Sequence, residues 1–128
     1  MRLILVRHAH ADPGDPDELR PLSARGREEA RALGERLVAE APAVVVASPL
    51  LRARETAAAI AGATGAELRI DERLAPGATA AGVLEAVADA GRTVVTVGHQ
   101  PDCSEIAYAL GAATVDFPPA GTAEIELP

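Results

Sequence analysis

Short apolar runs alternate along this chain with longer stretches in which apolar positions recur every three or four residues. That alternation is the sequence form of βαβ units around a mostly parallel sheet. Leu3 to Val6 predicts the first strand. After an acidic loop from Asp12 to Pro21, Ser23 is placed to cap a helix whose Ala30, Leu33, Gly34, Leu37, Val38 and Ala41 share one face. Val44 to Ala47 is a β-branched run, and Ser48-Pro49 after it suit the N-cap and first residue of a helix reaching Ile60, with Gly62 and Gly65 to end it. Glu67 to Ile70 predicts a short strand, and Ala80 to Ala90 a helix stopped by Gly91. Thr93 to Val97 reads as a central strand, and Pro101 to Gly111 brackets a fourth helix. Thr122 to Leu127 alternates apolar with acidic positions, as an edge strand with one wet face does. The expected fold is α/β, a three-layer α/β/α sandwich whose mostly parallel sheet has about six strands, with an antiparallel strand near the C-terminal edge.

Composition narrows the function more than the fold. At 128 residues, 48% hydrophobic and 24% charged, the chain suits one domain over residues 1–128 and excludes disordered and fibrous classes. No apolar run approaches the ~20 residues of a membrane span, and Leu3 to Val6 is too short for a secretory core, so a cytoplasmic location is expected. The net charge of −7 argues against nucleic acid or an anionic membrane as the partner. An anionic substrate therefore requires a local cluster of positive charge. All 12 basic residues are Arg, a bias we attribute to GC-rich coding. The single cysteine, Cys103, excludes a disulfide framework and a Cys-based zinc cluster. With one Tyr and one Phe, the core has to be aliphatic and built on closely approaching Ala-rich helices.

Candidate chemistry gathers at strand ends, where parallel α/β sheets place their sites. The first strand ends in Arg7-His8, the second in Ser48-Pro49 with Arg52 one turn further on, and the fourth in Gly98-His99. If these strands are parallel, two imidazoles and two guanidiniums converge beside helix N-termini. Such a group suits a phosphoryl moiety, because Arg matches phosphate oxygens in bidentate fashion and helix N-termini favour anions.

Leu5-Val6-Arg7-His8-Ala9, Ser48-Pro49-Leu50-Leu51-Arg52-Ala53 and Gly98-His99, in that order, resemble the three signatures of the histidine phosphatase superfamily. Arg20-Pro21-Leu22-Ser23, with Gly26 and Ala30 behind it, looks like that family's lead into its first helix. The short stretch from Glu72 to His99 leaves no room for the helical insertion of phosphoglycerate mutases, and the minimal length is similar to SixA-type phosphohistidine phosphatases. The resemblance implies that His8 is a nucleophile forming a phosphohistidine intermediate that water hydrolyses, and that Arg7, Arg52 and a protonated His99 depress the His8 pKa and stabilise the transferring group. It also implies that a backbone carbonyl holds the other His8 nitrogen, and that neither metal nor cofactor is needed. Arg20 and Ser48 are candidates for substrate binding.

Competing readings exist for several of these residues. An isolated strand-end His is usually structural, and His8-Ala9-His10 has the spacing of a metal pair, although only His99 could add a third imidazole. His10 is expected near the mouth of the pocket. Arg54 and Arg73 read as solvated surface, and Arg20 equally suits a structural role. Cys103 shares a helix face with Ile106, Ala107 and Leu110, as a core residue would. Asp12, Asp15, Asp17 and Glu18 read as a solvated loop whose functional alternative is a rim touching a partner protein.

The family's carboxyl general acid has no clear counterpart. Gln100 stands at one usual position and Arg73 near the other, which leaves Glu72 as the acid candidate, with Asp102 and Asp12 as weaker ones. A phosphohistidine substrate tolerates that absence, since its imidazole leaving group needs far less protonation than an alkoxide. The expected function is a metal-independent phosphatase acting on phosphohistidine in a phosphotransfer protein. The alternatives are a phosphomonoesterase for a small phosphorylated metabolite and a phosphate-binding module without turnover.

Overall fold

A computed structural model describes residues 1–128. The apolar runs form β1 (Arg2–Arg7), β2 (Val44–Ala47), β3 (Glu67–Ile70), β4 (Thr93–Gly98) and β5 (Thr122–Glu126), and the periodic stretches form α1 (Ala24–Leu37), α2 (Leu51–Thr64), α3 (Ala80–Val87) and α4 (Asp102–Ala109). The sheet order is β3-β2-β4-β1-β5; β5 runs antiparallel to β1 and every other pair is parallel. The sheet thus has five strands, not about six. The segment between α4 and β5 contributes no strand, and serves instead to seat Phe117 in the core.

Because strand side chains alternate between faces, each buried strand feeds two cores. Leu3, Leu5, Val44, Val46 and Val94 pack with Val83, Val87, Cys103, Ile106 and Ala107 of α3 and α4. Ile4, Val6, Val45, Ala47, Val95 and Val97 point the other way, onto Leu33, Leu37, Ala53, Ala57 and Ile60 of α1 and α2. This is the three-layer sandwich. Small residues let α1 and α2 approach closely: a Cβ on Gly34 would lie 2.9 Å from the Ala59 carbonyl oxygen.

Helix boundaries depart from the sequence expectation in four places. The first helix ends at Leu37, so Val38 is half exposed and Ala41, at φ 46°, lies outside it. Ser48 and Pro49 precede α2, whose N-cap is Leu50, because the Ser48 hydroxyl accepts from the Leu50 N–H and engages His99. Gly62 lies within α2, and Gly65, at φ 78°, ends it. The third helix stops at Val87, short of Ala90, as Asp89 adopts φ 60°. Ser23 caps α1 as expected, accepting from the Gly26 N–H at 3.0 Å.

Candidate active site

Sheet order delivers the candidate residues to one edge. β1 and β4 are parallel neighbours with Arg7 in register with Gly98, and the His8 N–H donates to the Gly98 carbonyl at 3.0 Å. His8 and His99 consequently leave adjacent strands side by side, with ring centroids 5.2 Å apart. On the other flank of β4, the Ser48 N–H donates to the Val97 carbonyl. Ser48 is fully buried, and its hydroxyl lies 2.8 Å from His99 Nε2. Expected at the substrate, Ser48 is instead turned onto the His99 ring. Arg52 follows in the first turn of α2 and is 6% exposed.

The His8 ring is held by its neighbour's backbone. Nδ1 donates to the Ala9 carbonyl at 2.7 Å, which in the neutral ring leaves the lone pair on Nε2. Ala9 is itself fixed: its N–H donates to Thr56 Oγ1 at 3.0 Å, and that hydroxyl donates to the Arg52 carbonyl at 2.8 Å. Thr56 therefore ties the strand bearing His8 to the helix bearing Arg52.

Burial lowers the His8 pKa to about 4, against the Ala9 contact, and Arg52, Arg7 and Arg20 push the same way. Burial also lowers His99 to about 4, aided by His8 and Arg52. Both rings are neutral near pH 7 in this structure. That corrects the expectation of a standing positive charge on His99: desolvation outweighs the single facing carboxylate, Asp17, that favours the imidazolium.

Polar bookkeeping singles out the same residues. Only three buried side-chain nitrogen or oxygen atoms in the molecule have no hydrogen-bond partner: Arg7 Nε, Arg52 Nε and His99 Nδ1. A native interior leaves few such atoms unsatisfied, and a ligand is one standard reason for them. Arg7 spends Nη1 on the Phe117 carbonyl at 3.0 Å, which fixes its stem at the end of β1.

Other sequence candidates are placed elsewhere. Glu72 is exposed in the turn Glu72–Leu74 and forms no hydrogen bond with His8, His99, Arg7 or Arg52. Gln100 closes onto Ser104 of α4, accepting from its N–H at 2.9 Å. Asp102 accepts from the Gly77 and Ala78 N–H groups, which ties α4 to the loop before α3. Arg73 pairs with Asp71 and Glu85 on the outside, and Arg54 is exposed. Asp12 is exposed, and its backbone carbonyl accepts from Arg20 Nε. The His10 ring meets Ser23 Oγ at 2.6 Å, which engages it away from a pairing with His8. No group of three or more His, Cys, Asp or Glu side chains is arranged to hold a metal ion. Cys103 is buried in the core and its thiol is pushed up to about 12 by burial.

One residue of the acidic loop was not legible as part of the site. Asp17 bonds Arg52 twice, its carbonyl accepting from Nη1 at 2.9 Å and Oδ2 from Nη2 at 3.1 Å, while Oδ1 accepts from Arg20 at 3.2 Å. These contacts hold its carboxyl below the usual aspartate range. Thr56 was missed as well, although a hydroxyl between Ala53, Ala57 and Ile60 on an apolar helix face is a readable signal.

The comparisons with known proteins bear on this geometry directly. The model of the histidine phosphatase superfamily, branch 1, matches residues 3–77. The chain belongs to this superfamily. Its enzyme class is that of a phosphatase, and its fold is that of the SixA phosphatases. The protein histidine phosphatase SixA complexed with tungstate superposes with a TM-score of 0.87 at 22% identity, over 99% of this chain and 88% of that one. A protein of Nakamurella multipartitia assigned as phosphohistidine phosphatase SixA gives 0.76 at 31% identity, over 96% and 82%. A mycobacterial glucosyl-3-phosphoglycerate phosphatase in complex with VO3 gives 0.75 at 24% identity, over 96% and 90%. No curated protein matches the chain by sequence. No helix is long and apolar enough to cross a membrane.

Proposed function

We propose that this phosphatase removes the phosphoryl group from phosphohistidine in a phosphotransfer protein, through a covalent intermediate on His8. The observation that carries the reading is the His8 ring: its Nδ1 proton is committed to the Ala9 carbonyl and its pKa lies near 4, so Nε2 is a neutral nucleophile at physiological pH. In-line attack by Nε2 on phosphorus breaks the bond to the leaving imidazole, and water then hydrolyses the His8–phosphorus bond to release inorganic phosphate.

Arg7 and Arg52 are assigned to the equatorial oxygens, with their buried, unpartnered Nε–H groups free to meet an acceptor. His99 has two ways to help. Ser48 accepts from Leu50 and can donate its own proton to His99 Nε2, which puts the imidazole proton on the unpartnered Nδ1 and makes a neutral donor. An arriving phosphoryl dianion also raises the His99 pKa, so the positive charge expected from the sequence forms on binding. Arg20 reaches the site through Asp17, and Ser48 serves as a positioning residue for His99. The scheme uses no metal or cofactor.

Leaving-group chemistry favours phosphohistidine. Neither His8 nor His99 has a hydrogen-bonded carboxyl, and Glu72 is exposed in its own turn. A phosphohistidine ring that takes a proton on its other nitrogen near neutral pH, as an imidazole of pKa ~6.5 does, leaves as neutral imidazole without an acid from the enzyme, whereas an alkoxide needs one. The test compares kcat/KM for a phosphohistidine protein with a panel of aryl and alkyl phosphates, in wild type and Glu72→Gln. Alkyl phosphates are expected to be poor substrates of the wild type, and the substitution to change all classes by a similar small factor. Efficient turnover of an alkyl phosphate, lost selectively in Glu72→Gln, would move the substrate to a small phosphomonoester.

A further inference from the structure

The loop between β1 and α1 is closed at its base by the bridge between Ala11 and Leu22 and by the Asp12 N–H on the Pro21 carbonyl at 2.9 Å. Residues 12–19 between these ties are exposed, yet the turn Asp17–Leu19 brings Asp17 back across the sheet edge to Arg52. The pair is lopsided: the Arg52 side chain is 8% exposed and that of Asp17 62%. Asp17 thus caps the solvent end of an otherwise buried guanidinium.

The atoms involved give this contact a consequence. A guanidinium offers an oxyanion two forks, Nε with Nη2 and Nη1 with Nη2, and Nη2 gives one of its two hydrogens to each. Asp17 Oδ2 sits on Nη2, and the Asp17 carbonyl takes Nη1. Asp17 thereby spans the Nη1–Nη2 fork, and the fork left to a phosphoryl group is the Nε–H, which has no acceptor, with the second hydrogen of Nη2. A carboxylate left in place lies beside the incoming dianion, and like charges at contact distance repel.

We propose that Asp17 is an internal competitor for the phosphoryl group on Arg52, an anion built into the chain that holds one fork of the guanidinium and opposes a second anion bound at the other. The proposal rests on the reading of Arg52 as a phosphoryl-binding residue. Its consequence is kinetic: Asp17 weakens the hold of the site on its product, which carries the same charge and geometry as the transferred group, and so limits product inhibition. Arg20 is the second landing point of the carboxylate, holding Oδ1 while Oδ2 is on Arg52. Protonation of Asp17 releases the competitor, and its depressed pKa keeps it charged at neutral pH.

Titration of the protein with inorganic phosphate, read by calorimetry and as the product-inhibition constant, tests this in wild type, Asp17→Asn, Asp17→Ala and Arg52→Ala. Asp17→Asn keeps a side-chain acceptor but removes the charge, and Asp17→Ala removes both. Loss of a charge-assisted competitor is expected to tighten phosphate binding by about threefold to tenfold in both Asp17 variants, with the inhibition constant falling in step. Arg52→Ala is expected to lose phosphate binding. Unchanged or weaker binding in the Asp17 variants, with binding lost in Arg52→Ala, would overturn the competitor and make Asp17 a residue that positions Arg52. Wild-type phosphate affinity in Arg52→Ala would overturn the reading of Arg52, and the competitor with it.

Discussion

His8 and His99 lie beside each other at the carboxyl ends of two central strands, and burial is the largest reason that neither is charged. The pH dependence of stability follows from that. Both pKa values fall from the ordinary 6.5 to about 4, so between these limits the unfolded chain binds protons that the native state does not. Their contribution is complete above pH 6.5 and is lost as pH falls toward 4. After discounting for partial solvent contact, the pair accounts for a loss on the order of 3 kcal/mol. Urea unfolding at pH 7 and pH 5 is expected to show wild type losing more stability than the His8→Asn/His99→Asn double variant; equal losses would contradict the neutral pair. At this scale, the strand-end histidines and arginines were legible because residue type and position coincide. Asp17 was not, since an acidic residue in a Pro- and Gly-bearing loop reads as solvated, and only the tertiary bridge at the base of the loop turns it inward.

Between elements, the site depends on how α1 and α2 grip the chain after β1. A Cβ on Gly26 would fall 1.8 Å from the His10 carbonyl oxygen, so the first turn of α1 sits directly against the segment carrying His8. From the other helix, Thr56 supplies the acceptor for the Ala9 N–H, and Ala9 supplies the acceptor for His8. Thr56→Val keeps the shape but strands a buried backbone N–H, a cost of about 1 to 3 kcal/mol. Chemical denaturation is expected to show that loss, with kcat falling more than KM changes because His8, the proposed nucleophile, is misaligned; an unchanged kcat would show that Ala9 needs no such anchor. Element types and order were readable from apolar periodicity, whereas the start of α2 was not. Ser48-Pro49 is a good local cap, but the serine hydroxyl is committed to His99, a long-range partner that no local pattern records. Gln100 is the converse case, standing where the family carries an acid yet bonded within its own helix start.

For the molecule as a whole, a net charge of −7 coexists with a site built around Arg7, Arg20 and Arg52, so positive charge is local by construction. The layered fold achieves this without aromatic bulk: alternate strand residues feed two aliphatic cores, and the strand order aligns β1, β4 and β2 so that their ends present the site together. Strand order is what the sequence left open. The apolar runs predicted strands, but placing β4 between β1 and β2 is a property of the packed sheet. The account turns on covalent catalysis by His8, and trapping tests it most directly. Wild type and His8→Ala are mixed for a single turnover with a phosphohistidine protein labelled on phosphorus and quenched in alkaline denaturant, which preserves a nitrogen–phosphorus bond. The enzyme band is then separated and digested. The account predicts transient label on the peptide containing His8 in wild type, and neither label nor phosphate release in a folded His8→Ala variant. Phosphate release by His8→Ala at the wild-type rate, or wild-type label on a different peptide, would contradict it.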